Sequence, residues 1–194
     1  MSNFTDFFPA AGGGGGIPKY QDFTSSGTFT PSAALIAAGG RVAYLAVGGG
    51  QRGESNQNAR GGAGGQVKWG FATLTGTTGC AVTIGAGGTS DGSNGGNTTI
   101  AFNSAGGTAI TSYGGAGGPR SEDGTNFGAN MYRGQGGVGG GASSGAFGFG
   151  AGGAAQENGT YFAAGTSSPG ANTGSGSKEG NNAAAGFVRI TWFE

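Results

Sequence analysis

Between Gly114 and Gly153 nearly every second residue lacks a side chain: the stretch opens Gly-Gly-Ala-Gly-Gly-Pro-Arg, carries Gly-Gly-Val-Gly-Gly-Gly at Gly136 to Gly141, and closes Gly-Ala-Phe-Gly-Phe-Gly-Ala-Gly-Gly. Such a stretch cannot bury the apolar area that normally offsets the entropy of ordering a backbone, roughly 1 to 2 kcal/mol per residue and highest for glycine. It is either disordered or ordered by hydrogen bonds between closely packed extended helices of three residues per turn. Single apolar residues (Val138, Phe147, Phe149) interrupt the glycine, where a solvated linker would carry charged or Gln/Ser tracts. The pattern therefore predicts an ordered layer that needs support from flanking structure.

Glycine supplies 51 of the 194 residues, whereas charged residues are 9% and the formal net charge is zero. Disorder driven by charge is excluded by that balance. So is a nucleic-acid surface, because neutralising phosphates needs clustered bases and the nine Lys and Arg are scattered from Lys19 to Arg189. No apolar run approaches the roughly 20 residues that span a bilayer, so membrane insertion is not expected. The segment Met1 to Gly16 has neither a basic start nor a long apolar core and does not read as a signal peptide. Histidine is absent and cysteine occurs once, at Cys80, which removes the Ser-His-Asp and Cys-His arrangements, an internal disulfide and a His/Cys zinc site. Cys80 precedes Ala-Val-Thr-Ile and is expected to be a small buried residue of a strand.

In chain order, Phe4, Phe7 and Phe8 lie at a spacing that would gather three rings on one side of a short helix, before Pro9 and five glycines break regular structure. Residues 1–16 thus read as an attachment peptide on a glycine tether. From Ile17 strands dominate. Lys19–Thr24 and Thr28–Thr30 are rich in aromatic and β-branched residues. Pro31–Gly39 predicts one or two helical turns, with Ser32 as cap and Gly39 as stop. Strands are then expected at Arg41–Val47, Gln66–Thr75 and Ala81–Ile84, followed by a hairpin pairing Thr98–Phe102 with Thr108–Tyr113 and a last strand over Gly186–Phe193. That last strand should pair with Arg41–Val47 or with the edge near Tyr20. The expected fold is mainly β: a small sandwich-like core, glycine-rich segments of polyglycine II type, long loops and little helix. Residues 17–194 form the domain, with a loop-bearing insert at about 114–185.

Other readings of the glycine fail. Collagen needs glycine at every third place, yet Ala142 follows Gly136 and Gly139 in that register. Gly48-x-Gly50-x-x-Gly53 matches a dinucleotide fingerprint in form, but neither a helical apolar pattern nor an acidic residue at the ribose position follows. No cofactor is expected. Asp91, Ser93, Asn94 and Asn97 supply one carboxylate between them, which suits a turn better than a calcium loop. Glu122-Asp123 would be the pair for hydrolysis, but adjacent acids in a Gly/Ser/Asn loop are normally solvated and nothing separates their pKa values. No enzymatic activity is expected.

Where glycine stops, polar and aromatic side chains concentrate. Tyr132, Arg133, Tyr161 and Phe162, with Asn56 or Asn58 on a neighbouring loop, combine rings for stacking with directed hydrogen bonds and form the candidate receptor-binding set. Phe4, Phe7 and Phe8 are the candidate attachment residues.

The succession FTSSGTFTP, RVAYLAVGGGQRG, GGAGGQVKWGFATL, VTIGAGG and AAGFVRITWFE resembles the glycine-rich domain of tail fibre and receptor-binding proteins of tailed bacteriophages, over roughly Ile17 to Glu194. The resemblance implies a virion protein of the tail that binds a bacterial surface glycan or outer-membrane protein. It also implies attachment to other tail proteins through the N-terminus, and a homotrimer. A structural adaptor or decoration subunit without receptor binding is the alternative.

Overall fold

The computed structural model describes residues 16–53, 62–104, 107, 109–115, 155–157, 160–163, 171–172, 174, 176–177 and 181–194, residues 105–106 excepted. Among the described residues ten strands and one short helix follow in order: β1 (Pro18–Phe23), β2 (Gly27–Phe29), α1 (Ala33–Ala37), β3 (Arg41–Val47), β4 (Val67–Thr73), β5 (Cys80–Thr83), β6 (Thr98–Ala101), β7 (Ile110–Ser112), β8 (Ala155–Glu157), β9 (Thr160–Ala163) and β10 (Phe187–Phe193). The mainly β expectation holds. Two four-stranded antiparallel sheets, ordered β1-β10-β3-β4 and β2-β5-β6-β7, share one core, and β8 and β9 pair as a hairpin.

Alternation decides which side of each strand enters that core. Val188 and Ile190 of β10 are fully buried with Val42 and Ala46 of β3, and they meet Phe29, Val82 and Ile100 from the other sheet. Cys80 is buried among them, as expected. Tyr44 lies inward opposite Gly70, where a Cβ would stand 2.7 Å from the phenol oxygen, so the missing side chain makes room for the ring. The last strand pairs with both expected partners, β3 on one side and β1 on the other.

The helix is short for local reasons. Ser32 Oγ accepts from Leu35 N at 3.0 Å, capping the first turn, and Gly39 at φ 101 ends the last one in a conformation that other residues avoid. Leu35 anchors the turn in the core. The Glu194 carboxylate accepts from both Lys19 Nζ and Ser32 Oγ, joining the end of β10 to β1 and to the helix cap. These bonds, first that from Lys19 and then that from Ser32, hold its pKa below the ordinary carboxylate value.

At one end of the sandwich the strands run on into glycine. Gly48 N donates to Gln66 O, Gly49 N to Gly96 O and Gly50 N to Ala184 O; Gln51 N then returns to the first neighbour at Ala63 O, and Arg52 N to the second at Ser93 O. Donor direction repeats every three residues, the period of a polyproline II helix, here with the inter-helix bonds of a polyglycine lattice. The carbonyls point between these partners: Gly49 O accepts from Gly115 N, Gly50 O from Gly88 N and Gln51 O from Ser177 N. Gly48–Gly53 is thus a central helix ringed by segments around residues 62–66, 85–88, 93–97, 113–115, 174–177 and 183–186.

This arrangement explains the glycine code. The central helix is covered in all three directions and carries three successive glycines, whereas each outer segment mixes glycine with Ala, Ser, Asn or, at 113–115, Tyr. The polyglycine-type packing that the sequence predicts is present, with its hub at Gly48–Gly53. Of Gly114–Gly153, only Gly114 and Gly115 belong to the described residues, and both sit in the lattice. The fingerprint glycines Gly48, Gly50 and Gly53 belong to this hub, and the residues described after them form no α-helix.

Candidate functional site

At the far end of the central helix the glycines give way to Gln51 and Arg52, whose side chains spread over the ends of the neighbouring segments. Gln51 is buried: its Oε1 accepts from Ala63 N at 3.1 Å, and its Nε2 donates to Gly92 O at 3.1 Å and Asn94 Oδ1 at 3.3 Å. Arg52 Nη1 donates to Thr89 O and to Asn182 Oδ1 at 3.2 Å. The tight turn through Ser90, Asp91 and Gly92 is closed by Ser93 N on Ser90 O and by Ser90 N on Ser93 Oγ, with Gly92 at φ 65. Beside it Ser177 Oγ donates to Asn181 O. Asn94 Oδ1 accepts from Gln51 Nε2 and Asn97 Oδ1 from Gly114 N, and the structure bears out the turn.

Three connections converge on this end. Gly53 and Gly62 flank residues 54–61; Gly92 N bonds Gly53 O, and Gly62 N bonds Ser177 O. The Thr89–Gly92 turn and the passage from Ser177 to Asn181 complete the group. Gln51 ties the first two together, since a leucine in its place would leave the buried Ala63 N–H and the Gly92 carbonyl without their partner. Gln51→Leu is expected to destabilise the protein by about 1–3 kcal/mol in urea denaturation.

Asn56 and Asn58 belong to residues 54–61 and lie outside the described residues, whereas the flanking Gly53 and Gly62 sit at this surface. Tyr132, Arg133, Phe4, Phe7 and Phe8 also lie outside them. Tyr161 and Phe162 are on β9, which pairs with β8, with Gln156 opposite Tyr161. The insert bearing them departs from Gly115 in the glycine layer. It rejoins at Asn172, whose Nδ2 donates to Thr24 O at 2.8 Å and Gly186 O at 3.0 Å, at the junction of layer and sandwich. Its strand β8 runs beside β4. The return point lies beside Gly186, which packs on Val47 and Gly48 at the start of the central helix, the end opposite Arg52.

A second set of exposed side chains occupies the outer face of the sheet β1-β10-β3-β4. Two cross-strand rows traverse it: Tyr20, Thr191, Ala43 and Phe71 in one, and Asp22, Arg189, Leu45 and Trp69 in the next. Arg189 donates Nε to Asp22 Oδ1 and Nη2 to Asp22 Oδ2, both at 2.7 Å, and its guanidinium lies 5.0 Å from the Tyr20 ring centre and 5.8 Å from that of Phe187. The hydrogen bonds to Asp22 raise its pKa further above the ordinary arginine value. Arg41 stacks on Phe71 at 5.4 Å. Reading the strands for apolar content alone misses this face; the available signal was Tyr20, Phe71 and Trp69 at positions out of phase with Phe23, Val188 and Ile190.

Comparison of the chain with protein-family models, with curated proteins and with solved structures finds no match.

Proposed function

We propose that the chain is a nonenzymatic virion component, a tail fibre or tail-tip protein that binds a receptor on the bacterial surface. The observation that carries this reading is the hydrogen-bonded glycine layer, at one end of which the Thr89–Gly92 turn meets Gly53 and Gly62, the residues that flank Asn56 and Asn58. A lattice in which backbone groups are satisfied by one another provides a stiff platform, and loops on a stiff platform are where recognition is usually placed. The resemblance to phage tail proteins supplies the biological setting. In it Tyr132, Arg133, Tyr161 and Phe162 act with the tip loop on a surface glycan or outer-membrane protein. Phe4, Phe7 and Phe8 join the domain to other tail proteins in a homotrimeric assembly.

The test is adsorption. Purified protein lacking Met1–Gly16 is expected to bind host cells, and replacing residues 54–60 by a Gly/Ser loop of equal length, together with Tyr132→Ala and Arg133→Ala, is expected to remove that binding at an unchanged unfolding midpoint. A structural adaptor predicts instead no binding to cells by the free domain. Unaltered adsorption by the loop variant would remove these residues from the receptor site.

A further inference from the structure

We propose that the outer face of the sheet β1-β10-β3-β4 is a separate binding surface for an uncharged glycan chain. Tyr20 on the edge strand β1 and Trp69 on the opposite edge strand β4 are each 66% exposed. They stand on one face, about 14 Å apart in the direction that crosses three strand spacings. Between them lie the short Thr191 and Ala43 in one row, and Arg189 and Leu45 in the other, Leu45 packing toward the buried pair Val47 and Val67 at the glycine end of the face. The result is a sheet face with an exposed ring on each edge strand. A sheet face, unlike a sheet edge, has no backbone groups to add a strand to.

The polar part of the face is fixed in advance. Arginine has five N–H donors, and Asp22 takes two of those of Arg189, leaving three beside the spare lone pairs of the carboxylate. Ring contacts and the two-point ion pair hold the guanidinium in place, so little side-chain entropy is lost when a ligand arrives. Fixed donors and acceptors next to exposed rings match a molecule with hydroxyls, which both donate and accept, and with C–H faces, which the negative face of an aromatic ring attracts. Sugar rings have both. Charge narrows the class further. Asp22 cancels Arg189, and Arg41 is laid over Phe71, so the described residues of this face present one net positive charge from a single stacked group. A polyanion would call for clustered bases. Charge complementarity thus favours neutral saccharide units, and the inference does not rest on the receptor reading of the Arg52 end.

The experiment uses the full chain on an array of neutral and acidic polysaccharides, followed by calorimetry with dextran, mannan or whichever neutral glycan is retained. Neutral glycans are expected to bind. Tyr20→Ala and Trp69→Ala should each weaken binding by about tenfold, and Arg189→Lys, which keeps the charge and loses the fork, by a similar factor. The loop-replaced protein should bind as before, which separates this surface from the Arg52 end. Retention of no neutral glycan, preference for acidic polymers, or binding that survives both ring substitutions would overturn the proposal. So would loss of glycan binding in the loop variant with none in the face variants.

Discussion

Gly49→Ala is expected to unfold the glycine layer, at a cost of at least about 4 kcal/mol, the range reserved for substitutions with a definite steric or burial cause. A Cβ at Gly49 would overlap the carbonyl oxygen of Ala86 and stand 2.7 Å from its carbon. The neighbour has no room to yield. Gly49 N donates to Gly96 O at 3.0 Å and Gly49 O accepts from Gly115 N at 2.7 Å, while Gly96 N donates to Ala86 O at 2.7 Å. Moving Ala86 aside therefore breaks its bond to Gly96, and moving Gly49 instead breaks those to Gly96 and Gly115, so either shift leaves buried backbone groups unpaired. Gly95→Ala tests the same contact from the outside, since its Cβ would overlap the carbonyl of Gly49 itself. Gly76→Ala is the control: a Cβ there meets no atom within 4 Å, and the change is expected to stay within about 0.5 kcal/mol of the parent, or to stabilise slightly through the unfolded state. Urea denaturation of the three variants reads the difference, and equal midpoints for Gly49→Ala and Gly76→Ala would show that the layer does not hold the fold together.

Phe29→Ala is the other large effect, expected at about 3–5 kcal/mol. Phe29 is 1% exposed and packs edge-on against Trp192 with ring centres 5.2 Å apart and planes at 63°. The two rings come from different sheets, β2 and β10, so truncation opens a cavity at the joint between them. The same change at Trp69, on the outward side of β4, is expected to leave stability within about 0.5 kcal/mol of the parent. Denaturation followed by tryptophan emission compares the two, and a small effect at Phe29 would mean that the sheets are held by something other than this core.

Most strands could be read from the chain because their signal is local. Arg41–Val47 and Phe187–Phe193 announce themselves by β-branched and aromatic residues and abut glycine, Gly48 after the first and Gly186 before the second, and Ser32 marks its helix by the chemistry of a cap. Which side of a strand faces inward was harder. In β3 both phases are apolar, Val42, Tyr44 and Ala46 against Ala43, Leu45 and Val47, so alternation alone does not tell core from surface. That ambiguity hid Trp69 and Tyr20 as exposed residues. The tip was partly legible: polar side chains after the glycine run at Gly48–Gly50 marked a loop, but the roles of Gln51 and Arg52 in binding three connections together depend on partners between 12 and 130 residues away. For Gln51 the nearest is Ala63, with |i−j| of 12.

What the amino-acid sequence settled by itself was that this chain must build sheets from a few well-made strands and must satisfy its glycines by backbone contact, because it has too few side chains to do otherwise. It could not say which glycine run occupies the middle. Glycine has no side chain to record a neighbour, and the hydrogen bonds of Gly48 to Arg52 go to segments scattered from Ala63 to Ala184. Only the assembled fold decides that Gly48–Gly53 lies at the centre, with bonds to neighbours on every side.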